Sequence, residues 1–478
     1  MIDKQTKELK LQFCKYGQEH VFKFWEILSN EEQLQLLQQA KNLNLDYLSK
    51  IIESVLHENS QPAQADKSAA SITPAKFIKF PNSEVDWQKW KETTAIGEQV
   101  IKDGKVAAFT VAGGEGTRLG CVVPKGTLQA TPLKKKSLFQ IFAEKIKAAE
   151  RKYETSIHWI IMTSERTHNE TIEFFGKNDS FGIENTHFIK QGQMPAITYD
   201  GKIIMETKSK IAMHPDGHGG ALKALGRSGL LAMLEDFGVE IISYFQVDNP
   251  LARCIDPYFI GSHVKNQSQV SSRMIRKLYP EEKVGVFCEI RGKNCVVEYS
   301  DLTKEQAMLR DATGNLIFCA GNTGTHLLDV PFIKQFNGKD IHSEIPYHVS
   351  QKAIPTVDSL GEPISPQAPN GLKLEMFIFD ILPFAERTII LESDRLSNFS
   401  PIKNSDGLDS LKTCLQDQLK LFTSWLLAAG TDIPTDANGM PPFDIEISPM
   451  FADNKHDFLT KWERLATKPT IAANQYIE

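Results

Sequence analysis

From residue 9 to about residue 56, apolar positions recur at helical spacing. Phe22, Trp25 and Ile27 lead into Ser29, with Glu32 three positions on, the arrangement of a capping box opening the run Leu34, Leu36, Leu37. Residues 59–74 (NSQPAQADKSAASITP) break the pattern and predict a linker or loose surface loop. Trp87 and Trp90 mark a second, short helical stretch.

The middle of the chain changes period. Residues 106–111 (VAAFTV), 157–162 (IHWIIM) and 241–247 (IISYFQV) are short apolar runs, and helical patterns fill 137–151 and 221–237. Alternating buried strands and helices predict an α/β fold, a mostly parallel sheet covered on both faces. Ligands sit at the carboxyl ends of the strands in such sheets, so the residues after each apolar run are the place to look for chemistry. The alternation Phe377-Ile378-Phe379 predicts a further strand. Beyond residue 401 the pattern weakens to a helix-like 408–427 and a Pro/Gly-rich loop at 434–443. The expected organisation is a helical N-terminal region at 1–98, a central domain at 99–400 and a small C-terminal domain at 401–478. No internal repeat is visible.

Composition narrows the function classes. The 478 residues are 41% hydrophobic and 24% charged, enough for two or three domains around a substantial core. A net charge of -6 argues against a general nucleic-acid binder. Seven scattered cysteines without CxxC spacing suggest reduced thiols and no zinc site. The charged N-terminus is unlike a signal peptide, and no stretch is apolar enough to span a bilayer. A cytoplasmic protein with no membrane partner is expected.

The first strand runs straight into Ala112-Gly113-Gly114-Glu115-Gly116-Thr117-Arg118-Leu119-Gly120, with Pro124-Lys125 following. Closely spaced glycines let main-chain N–H groups approach phosphate oxygens, and Arg118 and Lys125 add positive charge beside them. A Walker A loop is excluded, since no Gly-Lys-Ser/Thr ending occurs. A dinucleotide loop is disfavoured because Leu119 stands where the third glycine belongs. A bare strand-to-helix turn is the bland alternative, which the adjoining Arg and Lys disfavour. Asp248 closes the run IISYFQV, where a carboxylate can hold Mg²⁺ against phosphates or merely cap the turn at Asn249. Lys134-Lys135-Lys136 is expected to be a solvated loop edge.

GGEGTRLG followed by PKG resembles the signature of UDP-sugar pyrophosphorylases, most closely the UDP-N-acetylhexosamine pyrophosphorylases. The likeness covers nearly the whole chain: Tyr16-Gly17-Gln18-Glu19-His20, Gln191-Gly192-Gln193-Met194-Pro195-Ala196, Val247-Asp248-Asn249-Pro250-Leu251, Val297-Glu298-Tyr299-Ser300, Ala320-Gly321-Asn322, Pro369-Asn370-Gly371-Leu372-Lys373 and Phe399-Ser400-Pro401-Ile402-Lys403-Asn404. The resemblance implies a Rossmann-like, GT-A-like nucleotidyltransferase core with a mostly parallel mixed sheet. It implies UTP and N-acetylglucosamine 1-phosphate (or the galactosamine epimer) as substrates, UDP-sugar and pyrophosphate as products, and Mg²⁺ as cofactor.

It also implies residue roles. Val111, Ala112, Gly113, Gly114, Lys125, Gln191, Gly217, Asp248 and Lys373 would bind the nucleotide, with Gln191 and Gly217 at uracil and Asp248 at the metal. Arg118, Lys125, Asp248 and Lys403 would carry catalysis. Glu298 and Asn322 would hold sugar hydroxyls, Gly285 and Phe379 would line the N-acetyl side, and Tyr299 would add an apolar wall. Lys403 would place the sugar phosphate. His218 departs from the family, which usually has Asn there, whereas relatives handling UDP-glucose or mixed sugars often have His. A glucose or galactose 1-phosphate preference is therefore the near alternative, and a dinucleotide-dependent dehydrogenase the distant one. A monomer or homodimer is expected.

Overall fold

The computed structural model describes residues 2–60, 72–116, 120, 123–337, 345–471 and 474–478. They divide into two compact units, each assembled from separate stretches of chain. The first comprises Met1–Ile72, Gln191–Lys223 and Gly338–Ile381, and the second Thr73–Lys190, Ala224–Asn337 and Leu382–Glu478.

The first unit opens with α1 (Ile2–Lys15), α2 (Asn30–Lys41) and α3 (Leu45–Ser60). The capping box at the start of α2 is present: Ser29 N–H donates to Glu32 (2.8 Å) and Glu32 N–H to the Ser29 hydroxyl (3.3 Å). The apolar faces of these helices pack on one another and on residues from far along the chain. Phe13, Leu36, Leu37 and Leu48 share a core with Ile203, Met205 and Ile211, while Ile51 and Val55 pack with Ile197, Leu372 and Leu374. Gln18 fastens the joint, donating to the Gly201 carbonyl and accepting from the Ile203 N–H, both at 2.9 Å. This shared core is why 191–223 and 338–381 group with the N-terminal helices, a division different from the expected cuts after 98 and 400. Of the linker expected at 59–74, residues 61–71 lie outside the described residues; 59 and 60 finish α3, and 72–74 form a short strand. The strand expected at 377–379 is not formed. The strand there is Gly371–Glu375, paired with His348–Lys352, and Ile378–Phe384 turns as a 3₁₀ helix.

The second unit is built on a sheet with ten strands among the described residues: β1 (Ile72–Pro74), β2 (Val106–Val111), β3 (Trp159–Thr163), β4 (Thr186–Lys190), β5 (Ile241–Gln246), β6 (Val270–Arg276), β7 (Val286–Ile290), β8 (Lys293–Val297), β9 (Ala320–Asp329) and β10 (Thr388–Glu392). Their order is β1-β7-β9-β5-β2-β3-β4, with β6 beside β9 and β10, and β8 beside β7. The half from β5 to β4 is parallel, while β9 runs antiparallel to β5, β6 and β7. Every residue of β2 and β3 is buried, the continuous apolar pattern of strands covered on both faces.

Helices α4 (Glu84–Lys102), α5 (Leu138–Tyr153), α6 (His168–Lys177) and α7 (Pro257–Lys265) belong to this unit. A Cβ on Gly97 of α4 would fall 1.8 Å from the Pro257 carbonyl, and one on Gly261 of α7 would fall 1.9 Å from that of Thr93. The two helices therefore touch backbone to backbone. The helix expected over 221–237 is two, Ala221–Arg227 and Leu230–Asp236, separated where Gly229 takes φ +76°.

The C-terminal stretch packs α8 (Leu411–Ala428), α9 (Lys455–Glu463) and the paired strands Ile445–Ile447 and Gln475–Ile477 around Trp425, Phe458 and Trp462, with Leu251 inserted. Lys136 departs from the solvated edge expected of its run. Lys134 and Lys135 are exposed, but Lys136 is 4% exposed and its ammonium reaches Glu144 (2.6 Å) and the Tyr476 hydroxyl (2.8 Å). No helix among the described residues is long and apolar enough to cross a membrane.

Candidate active site

In the second unit, parallel pairing sets Val111 opposite Gln246, and the Val247 N–H donates to the Val111 carbonyl (3.1 Å). The chain leaving β2 as Ala112-Gly113-Gly114 and the chain leaving β5 as Asp248 thus emerge side by side at one carboxyl edge. The glycine loop then folds back on itself. Gly116 N–H donates to the Val123 carbonyl (3.1 Å) and Lys125 N–H to that of Gly114 (3.2 Å). The fold-back brings Lys125 to Asp248, with Nζ 3.0 Å from Oδ2 and both side chains mostly buried. Arg118 lies outside the described residues. Arg166, beyond the carboxyl end of β3, reaches Glu115 in the loop at 3.4 Å. Nothing in the motif pointed to Arg166, although the strand-end rule covers its position.

Lys403 approaches the same edge. The Ile402 N–H donates to the Asp248 carbonyl (2.8 Å), and the Lys403 N–H to that of Asp409 (2.6 Å). The exposed Lys403 ammonium lies 5.8 Å from the centre of the Phe399 ring. Burial raises the Asp409 carboxyl above its ordinary range, opposed by Lys403 and Arg395.

The expected sugar residues of this unit also converge. Gly285 and Glu298 flank the open end of the β7–β8 hairpin, whose last pair is Val286 with Val297. A Cβ on Gly285 would stand 2.9 Å from Val296 and 3.4 Å from the Glu298 carboxylate. Asn322 N–H donates to the Gly285 carbonyl (2.8 Å). Because His326 pairs with Tyr244 across β9 and β5, antiparallel register carries Asn322 toward the level of Asp248. Tyr299 is 46% exposed, so it offers a face to solvent instead of filling core.

The remaining expected residues lie in the first unit and group there. Gln191 Nε2 donates to the Gly217 carbonyl (2.6 Å). Gly217 has φ +84°, and a Cβ there would sit 2.3 Å from the Met376 carbonyl, so only glycine fits. The His218 ring stacks on Phe377 (centroids 5.1 Å, planes 10° apart), which stacks in turn on His348 (4.1 Å, 25°). His348 is oriented by Asp380 at 2.8 Å. Ile378 N–H donates to His218 Nδ1 (3.1 Å), which puts the neutral ring's proton on Nε2. Burial, with a lesser push from His348, lowers the His218 pKa to about 4. Phe379 is buried, its ring 5.7 Å from that of His218. Lys373 stands on the strand Gly371–Glu375 and pairs with Glu375 at 2.9 Å.

Comparison with known proteins gives consistent matches. The model of the UTP–glucose-1-phosphate uridylyltransferase family matches residues 45–423. UDP-N-acetylhexosamine pyrophosphorylase-like protein 1 of Homo sapiens is 35% identical over 477 residues, covering 94% of this chain and 93% of its own. UDP-N-acetylglucosamine diphosphorylase 2 of Arabidopsis thaliana is 36% identical over 461 residues, covering 91% and 87%. Among solved structures, the uridine diphosphate N-acetylglucosamine pyrophosphorylase of Trypanosoma brucei in complex with inhibitor superposes with a TM-score of 0.83 at 26% identity, over 99% of this chain and 98% of that one.

Proposed function

The chain belongs to the UTP–glucose-1-phosphate uridylyltransferase family, and on that premise we propose that it joins N-acetylglucosamine 1-phosphate to the uridylyl group of UTP, releasing pyrophosphate. The main structural support is the Lys125–Asp248 pair beside the glycine loop, where adjacent parallel strands end.

A phosphate oxygen of the sugar phosphate attacks the α-phosphorus of UTP. The bond from that phosphorus to the bridging β-oxygen breaks, and pyrophosphate leaves with the electron pair. The nucleophile is already anionic at neutral pH, so the site needs alignment and charge stabilisation instead of a general base. The glycine-loop amides and Lys125 suit the triphosphate, and Asp248 fixes the direction of the Lys125 ammonium. Arg118 is assigned to the departing pyrophosphate, Lys373 to the UTP phosphates and Lys403 to the sugar phosphate. Gln191 and Gly217 are assigned to uracil, and Glu298 and Asn322 to sugar hydroxyls, with Gly285, Tyr299 and Phe379 alongside.

Magnesium fits this donor set as an ion shared with substrate. Asp248 would supply one carboxylate, and among the described residues no three His, Cys, Asp or Glu side chains cluster as an all-protein cage would require. When bound, the ion supplies positive charge to the triphosphate.

His218 does not by itself favour glucose 1-phosphate. A ring protonated on Nε2 is a donor, and an acetamido carbonyl accepts from it as well as a hydroxyl does. Pyrophosphate release should be measured with UTP, Mg²⁺ and a panel of sugar 1-phosphates. N-acetylglucosamine 1-phosphate is expected to exceed glucose 1-phosphate in kcat/KM, and the reverse order would overturn the substrate assignment. Lys125→Ala is expected to lower turnover about 100-fold or more.

A further inference from the structure

The end of β5 is tied to the segment leading into Lys403 by three hydrogen bonds, and one side chain makes two of them. Asn249, 2% exposed, donates from Nδ2 to the Asn398 carbonyl (2.8 Å) and accepts at Oδ1 from the Ser400 N–H (3.0 Å). The third is the Ile402 N–H to the Asp248 carbonyl. A side-chain amide bonded at both ends to the main chain of another segment behaves as an extra peptide unit, extending a ladder where no strand exists.

The far segment is itself anchored. Asn398 Oδ1 accepts from Arg273 (3.1 Å) and its Nδ2 donates to the Asp394 carbonyl (2.9 Å). Arg273, on β6, pairs with the buried Asp256. Asn249 therefore joins, alongside the Ile402–Asp248 bond, two supports: the strand end carrying Asp248, and the turn carrying Lys403.

We propose that Asn249 is a positioning residue for the transfer reaction, setting the register between the Lys125–Asp248 pair and Lys403. The Lys403 ammonium then meets the sugar phosphate where its oxygen is aligned with the α-phosphorus. This rests on the roles given above to Asp248 and Lys403. Asparagine is the residue the geometry requires. Aspartate would set a carboxylate oxygen against the Asn398 carbonyl, and alanine would reach neither partner.

The test is a double-mutant cycle of Asn249→Ala and Lys403→Ala, read as kcat/KM for the sugar 1-phosphate, with UTP affinity measured separately by calorimetry. Lys403→Ala is expected to lose about 100-fold. Asn249→Ala should lose about 10–100-fold, since small misplacements at a reacting centre carry costs of that order. Its UTP affinity should stay within about twofold, and in the Lys403→Ala background it should cost less than about threefold more. Near-normal activity of Lys403→Ala would sink the assignment beneath the proposal and the proposal with it. If Lys403→Ala is impaired while Asn249→Ala is silent, or costs the same factor in both backgrounds, only the proposal falls.

The isosteric Asn249→Asp covers the case in which the alanine variant fails to fold. It keeps an acceptor for the Ser400 N–H but loses the donor to the Asn398 carbonyl, so it should lose about 10-fold or more in kcat/KM for the sugar 1-phosphate while UTP affinity stays within about twofold. Near-normal kcat/KM of Asn249→Asp, or an equal loss of UTP affinity, overturns the proposal.

Discussion

Lys136→Met is expected to cost about 3–5 kcal/mol, because it would leave the Glu144 carboxylate largely buried without its cation. Burial works against the charged ammonium, yet Glu144 and Tyr476 together hold the Lys136 pKa above its ordinary value. Lys134→Ala, at an exposed neighbour, should stay within about 0.5 kcal/mol in the same denaturant titration. His218 makes a pH prediction of definite sign. Its pKa is about 4 in the folded protein, below the free imidazole value, so the unfolded chain binds more protons in that window. The contribution is fully present above about pH 6.5 and is lost as pH falls toward 4. Melting temperature should decline over that range, and His218→Asn should make the decline shallower. At this scale the sequence disclosed Lys125 and Asp248 because a glycine loop and a strand end are local patterns. Gln18 and Asn249 were legible only as parts of a resemblance, since both act through main-chain partners about 150 residues or more away.

The crossing of α4 and α7 allows a sharper prediction about elements. Gly97→Ala would press a methyl group into the Pro257 carbonyl, and a backbone obstacle cannot rotate aside as a side chain can. A loss of about 1–3 kcal/mol or more is expected in thermal or denaturant unfolding. Gly439→Ala is a poor control because of its positive φ, so Gly176, open on all sides within α6, is the better one: alanine there should be neutral or slightly stabilising. Strands β2, β3 and β5 were legible because a doubly covered strand is a short apolar run bounded by polar residues. Phe377 to Phe379 misled because three aromatic and aliphatic residues satisfy a two-residue period without forming a strand. Here the rings serve a stack with His218 and His348 instead of a sheet face. Gly229 divides a run that hydrophobic periodicity alone joins.

For the whole molecule, the interleaving of the two units was the least legible feature. Hydrophobic spacing shows which face of α1, α2 or α3 must be covered, but not by which distant residues. Those helices pack partly on one another and partly on Ile203, Met205, Ile211, Leu372 and Leu374. A fragment of residues 1–72 is therefore expected to show weak, non-cooperative helicity by circular dichroism, since isolated helices of this length are marginal without a packed face. A cooperative thermal transition in the fragment would contradict that. The same interleaving bears on biosynthesis. Helix α3 leaves the ribosome well before the Leu372 and Leu374 that complete the cover of Ile51 and Val55, which are added roughly 320 residues later, on the order of 15–60 s at about 5–20 residues per second. Throughout that interval the nascent chain displays an unfinished oily surface, a natural target for holdase chaperones during translation.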